Sequence, residues 1–334
     1  MKKTIVFSLS VMMLLILGTG TSWGKAEFDI KFSTYISPNM AESFRNMAKN
    51  IETMSAGRIK VTVFAGGELV SSSDVLKAVR AGTLQMAMGS PYHYEEMKTA
   101  GIEAGMPMTW ANAVEAEVLW ENMGFGEMVS QAYDGAGVHY LGPIWAAPYA
   151  ITTKSPVSGL ADLQKMKLRA TSGPAKMFKK LGVTTVYMKP EEMYLALSTG
   201  QIDGVLYGGA AEYAEMSFQE VAPYYCSTYI LNPITDAIFI NKKLWERLPE
   251  DLKEVIKAAA YKARWEYYTW AMGEEFKAQD TVYKGKITAF GADDVAKLTE
   301  AAQEIWEAEA KASPLAAQMV DKVKALLRSV GRLK

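Results

Sequence analysis

The chain has 334 residues, of which 36 are Lys or Arg and 37 are Asp or Glu, for a net charge of −1. That balance excludes the basic field a nucleic-acid partner requires, and 22% charged residues without a long like-charge run exclude a disordered or fibrous chain. At this length two domains with sizeable cores are expected.

Lys2 and Lys3 precede an apolar run from Ile5 to Leu17, and small and polar residues follow up to Gly24. This is the order of a secretory signal peptide, here residues 1–24, and the run is short for a membrane span. Cleavage is expected after Gly24 or Ala26, and no cysteine stands nearby to take a lipid. The mature protein is therefore expected to be exported, periplasmic and soluble. Cys226 is the only cysteine, so neither an internal disulfide nor a multi-cysteine metal site can form. Flanked by apolar residues, it reads as packing.

Phe28 to Thr34 alternates as a first strand, Pro38 to Glu52 is helical, and Ile59 to Phe64 is a second strand. A helix through Val75 to Arg80 closes at Gly82 before a third strand from Thr83 to Gly89, which runs into Ser90-Pro91-Tyr92-His93. Trp110 to Tyr133 reads as helix interrupted at Gly124 and Gly126, and Val138 to Trp145 and Tyr149 to Thr153 read as strands around Pro148.

The stretch from Met166 to Gly209 is a β-α-β-α-β succession. Met166 to Ala170 alternates, with Met166 and Leu168 facing inward and Lys167 and Arg169 opposite. Thr171-Ser172-Gly173 caps a helix with Pro174 at its first position. Val183 to Met188 is a second strand, Pro190-Glu191-Glu192 opens a helix that Gly200 ends, and Ile202 to Tyr207 is a third strand. Glu191 and Glu192 fit a helix dipole better than a metal site. Ligands of open α/β sheets sit outside the carboxyl ends of strands, which is where Arg169 falls.

The two βα blocks echo each other. Asp74, Ala78, Gly82, Leu84 and Ala87 match Glu192, Ala196, Gly200, Ile202 and Val205 at constant spacing, so two similarly built lobes are expected. The first crossing is expected at the strands Val138 to Trp145 and Tyr149 to Thr153 around Pro148, and Tyr224 to Ile230 with Asp236 to Ile240 crosses back. Helices follow over Leu244 to Met272 (one or two abutting), Asp293 to Ala312 and Leu315 to Val330. The expected architecture is α/β: a bilobal, periplasmic-binding-protein-like fold with hinge strands and long C-terminal helices. Lobe I is expected over 27–148 with 236–272 returning to it, and lobe II over 149–235 with 280–330 returning to it. Such lobes close by hinge motion around a ligand.

Past the expected signal peptide, enzyme motifs are missing: there is no G-x-S-x-G, H-E-x-x-H, Walker A or complete G-x-G-x-x-G, and His93 and His139 are the only histidines of the chain. His93, in its Pro/Tyr loop, reads as structural or cleft-lining. An Arg at a strand end is ordinarily a solvated surface residue, but its planar fork of donors suits a carboxylate bidentately. Trp145 and Tyr149 share a strand face by the period of two and are expected to form an aromatic wall, or else to pack the lobe interface.

The strand ending at Arg169, the Pro-containing helix start, the "LG…V…M" strand and the segment E-x-Y-x-A-L-x-x-G-x-I-D-G together resemble the solute-binding proteins of TRAP transporters (DctP-type). The likeness continues through Phe28 to Pro38, Ala56 to Leu69, Val75 to Pro91 and Asn241 to Pro249, nearly the whole mature chain. It implies that Arg169 holds a substrate carboxylate and that the ligand passes, chemically unaltered, to small and large permease subunits driven by an ion gradient. Members of the family are usually monomers, with some dimers, and a monomer is expected here, with no cofactor and no metal. The family pattern departs at Tyr35, where sialic-acid and dicarboxylate members carry a polar residue. It departs also at Ser90 (an acidic residue), Tyr207 (an Asn) and Tyr149 (a second Arg). These departures favour a monocarboxylate with an apolar or aromatic body. The expected ligand-binding set is Arg169, Tyr207, Tyr149, Trp145, Ser90, Tyr35, Tyr92 and Thr171. Rival readings are an ABC-type or sensor-linked receptor with the same lobes, or a periplasmic enzyme acting on an acidic substrate.

Overall fold

The computed structural model describes residues 26–94 and 96–333; the expected signal peptide and its cleavage site lie outside them. Eleven strands form two sheets. The first contains β1 (Phe28–Thr34), β2 (Ile59–Phe64), β3 (Met86–Gly89), β4 (Val138–Trp145) and β10 (Thr235–Asn241), in the order β2-β1-β3-β10-β4. The second contains β5 (Tyr149–Thr153), β6 (Lys167–Arg169), β7 (Thr184–Val186), β8 (Gly204–Leu206), β9 (Tyr224–Leu231) and β11 (Ile287–Thr288), in the order β11-β9-β5-β8-β6-β7.

The two orders superpose as topologies. β3 sits between parallel β1 and antiparallel β10, and β8 sits between parallel β6 and antiparallel β5. The helices that feed them, Val75–Ala81 and Pro190–Ser198, give way at Gly82 (φ 81°) and Gly200 (φ 75°), left-handed positions that glycine takes without a Cβ clash. The matched glycines of the sequence repeat thus end equivalent helices. Each sheet receives its antiparallel strand from across the molecule: β5 follows β4 through 146–148, and β10 follows β9 through 232–234, which includes the cis Asn232–Pro233 bond.

Buried apolar side chains cover both faces of each sheet, as parallel strands require. In the first lobe Ile30, Phe32, Phe44 and Ile51 pack against Ile256, Ala263 and Tyr267. In the second, Met193, Leu197 and Val205 pack against Tyr213, Phe218 and Tyr283. Cys226 is buried on β9.

The C-terminal helices tie the lobes together. Leu248-Pro249 separates Lys242–Arg247 from the helix Glu250–Thr281, because Pro249 holds Leu248 extended. That 32-residue helix touches the helix Glu42–Met54 and β4 in the first lobe and the helix Ala210–Glu215 in the second. Helix Ala292–Ala310 rests on Ser172–Lys180, but Pro314–Ser329 lies against Phe125–Gly135 and Ala100–Ala104. Residues 280–330, expected to return to lobe II, thus touch elements of both lobes. The helix Pro314–Ser329 buries the apolar stripe Ala316, Met319, Val320, Val323 and Leu327.

Candidate functional site

A cavity of about 760 Å³ lies between the lobes, within the range of small-molecule sites. Arg169 forms part of its second-lobe wall at the carboxyl end of β6, and only 2% of its surface is exposed. Nε donates to the Met188 carbonyl and Nη1 to the Leu206 carbonyl, both at 3.2 Å. The guanidinium carbon lies 5.3 Å from the Tyr187 ring centre and 5.1 Å from that of Tyr207. Among the described residues no carboxylate stands within ion-pair distance of it, and Nη2 makes no hydrogen bond. Burial pulls its pKa below the usual value, with the surrounding tyrosines opposing; a guanidinium stays charged regardless.

Tyr207 is held by the hydroxyl of Tyr213, which is fully buried. That oxygen accepts from the backbone N–H of Tyr207 at 2.8 Å and of Gly208 at 3.1 Å, and donates to the Ala150 carbonyl at 2.7 Å. Tyr149 stands beside Tyr207 with ring centres 6.2 Å apart. Thr171 also lines this wall, at the start of the helix Ser172–Lys180, which begins before Pro174 rather than at it.

The first-lobe wall carries Tyr35, Ser90, Tyr92 and His93, beyond the carboxyl ends of β1 and β3. Tyr35 Oη donates to Asp236 Oδ2 at 2.7 Å, and Tyr92 Oη donates to the Gly105 carbonyl at 2.7 Å. Burial lifts the Asp236 carboxyl to about 6, while Tyr35 and Ser90 hold it down. Burial also lowers His93, leaving it neutral at pH 7, edge-on to Tyr35.

Seven of the eight residues singled out from sequence line this one cavity. Trp145 does not. Fully buried, it packs edge-on against Trp120 at 5.1 Å, and its Nε1 donates to Glu117 Oε2 at 3.0 Å. Pattern reading missed Tyr187, Met106, Pro107, Ile305 and Glu309, which line the cavity as well. Among the described residues no group of three or more His, Cys, Asp or Glu could hold a metal ion.

The family model of DctP, bacterial extracellular solute-binding protein, family 7, matches residues 34–312. The chain belongs to that family. It is similar to a monocarboxylate 2-oxoacid-binding periplasmic protein of a Nostoc species, at 27% identity over 88% of this chain and 76% of the relative. Solved TRAP periplasmic solute-binding proteins share its fold. One from Ochrobactrum anthropi, with its C-terminus bound in the ligand pocket, covers 92% of this chain and 96% of its own at TM-score 0.82 and 24% identity. Another, from Pseudoalteromonas atlantica with bound sodium and pyruvate, covers 92% and 95% at TM-score 0.77 and 21% identity. A third, from Rhodoferax ferrireducens with bound malonate, covers 91% and 100% at TM-score 0.77 and 19% identity. This DctP-family chain has no helix among the described residues long and apolar enough to cross a membrane.

Proposed function

We propose that this chain is the periplasmic receptor of a TRAP transporter, capturing a small organic acid between its lobes and delivering it to the membrane permease. One observation carries the reading: a buried guanidinium faces the interlobe cavity with no carboxylate beside it. Leaving a buried charge uncompensated is costly, so an anionic ligand supplies what the unliganded site lacks. Arg169 is the one Lys or Arg in the lining, and tyrosines make up much of the rest. That supports an acid with a single carboxylate and an apolar or aromatic body. Binding shifts an open–closed equilibrium of the two lobes. The receptor is exported through its N-terminal signal, acts as a monomer, and docks on small and large permease subunits.

The test is thermal unfolding and calorimetry of the mature protein with a panel of organic acids, with product analysis alongside. Stabilisation without turnover is expected, about 2.7 kcal/mol at a ligand concentration one hundred times Kd. Failure of every acid to stabilise the protein, or conversion of one, overturns the proposal.

A further inference from the structure

The cavity has a second charged side. Asp236, at the start of β10, is fully buried; its Oδ1 makes no hydrogen bond, and no Lys or Arg lies within ion-pair distance among the described residues. Its other oxygen takes the Tyr35 hydroxyl hydrogen, which leaves the phenol oxygen able only to accept from the cavity. Ser90 lies against the same carboxylate and also lines the cavity. Glu309, on the helix Ala292–Ala310, lines the cavity too, and its carboxylate makes neither ion pair nor hydrogen bond among the described residues. Tyr92 is within electrostatic reach of both acids, which together with burial raise its pKa.

Resting on the reading of this cavity as an organic-acid site, we infer that the captured acid also carries a protonated amine, received by Tyr35 and Ser90 of the first-lobe wall, with Asp236 behind them, and by Glu309, whose carboxylate lies beside Gly101 of that lobe. Charge is unmet on both sides of the cavity. Arg169 on the second lobe lacks an anion; Asp236 on the first lobe and Glu309, whose helix rests on the second lobe with its carboxylate beside Gly101, lack a cation. A zwitterion compensates both sides on closure. A simple acid leaves the acidic wall bare, and a dicarboxylate sets like charge against it.

The experiment is calorimetry of the mature protein with amino acids whose amine stands at successive carbons from the carboxyl, each beside its deaminated and oxo counterparts. At one spacing the amine is expected to tighten binding by about tenfold or more. Glu309→Gln and Asp236→Asn are each expected to remove most of that gain while leaving the deaminated acid's affinity unchanged, a split that general damage to the fold does not produce. Glu309, half-buried on a helix surface, keeps the test open should Asp236→Asn fail to fold. Equal or tighter binding of the deaminated or oxo acid at every spacing overturns this inference alone, provided Arg169→Ala still abolishes their binding. Absence of binding by every acid overturns the organic-acid reading together with it.

Discussion

The Arg169 guanidinium lies over the Tyr207 ring, 5.1 Å from its centre, where an ion pair would otherwise be expected. The ring occupies one face of the cation and leaves the planar edge, with its unused Nη2 donors, for a ligand. An aromatic neighbour steadies the charge without neutralising it. Two carbonyls fix the guanidinium, so under the proposed function little side-chain entropy is lost when an acid binds.

Arg169→Ala is expected to weaken acid binding by about 2–5 kcal/mol, the range for truncating one partner of a desolvated charge pair. Unliganded stability is expected to change less than binding does, since loss of two bonds to carbonyls and of the contacts with the Tyr187 and Tyr207 rings is offset by removal of an uncompensated buried charge. Calorimetry and denaturant titration separate the two effects. Unchanged affinity would remove Arg169 from the site.

Tyr213 reaches the ligand only through Tyr207. In Tyr213→Phe the Tyr207 and Gly208 N–H groups lose their acceptor, at a cost of about 1–3 kcal/mol in stability. Binding is expected to weaken mainly through faster release, because the ring over Arg169 is less fixed. Stopped-flow dissociation checks this; an unchanged off-rate would make Tyr213 purely structural.

The lobes, and the place of Arg169 at a strand end beside the cavity, were legible in the chain, since Gly-ended helices and strand-ending residues are local signals. What local pattern could not supply came from long range or from strand ends. The alternation rule placed Arg169 opposite Leu168, yet both are buried, because packing covers both faces of the second sheet. Trp145 and Tyr149 have the right spacing to share a strand face, but β4 ends at Trp145 and β5 begins at Tyr149. The two residues lie in different sheets, so the period of two does not carry across the crossing. Tyr187 was hidden in a run read as strand through Met188, whereas β7 stops at Val186 and leaves it in the loop at the carboxyl end. Ile305 and Glu309 reach the cavity from a helix far along the chain, which no local pattern reveals.

Trp145 offers a control for the site's boundary. Trp145→Ala removes a fully buried ring from against Trp120 and leaves Glu117 without its indole donor. A stability loss of about 3–5 kcal/mol is expected, with affinity for the acid near wild type at a temperature where the variant is folded. A large affinity loss in folded Trp145→Ala protein would bring Trp145 back into the site.

Glu212 gives the site a pH signature. Its carboxylate lies so close to Gly208 that a Cβ there would collide with it. Burial, then the charges of Glu215 and Glu275, push its pKa up from 4.5 to about 7, with Arg169 opposing. The folded protein therefore holds this proton more tightly than the unfolded chain does. Its contribution to stability is full below about 4.5 and is lost as pH rises through about 7. Glu212→Gln keeps a neutral side chain at every pH, so it is expected to be more stable than wild type above pH 7 and to lose that advantage toward pH 4.5. Removing Arg169 takes away the one opposing cation, so Arg169→Ala is expected to steepen the wild-type decline and Glu212→Gln to abolish the difference. Melting temperatures of the four proteins across this pH range check both statements; parallel curves would show that Glu212 is not the titrating group.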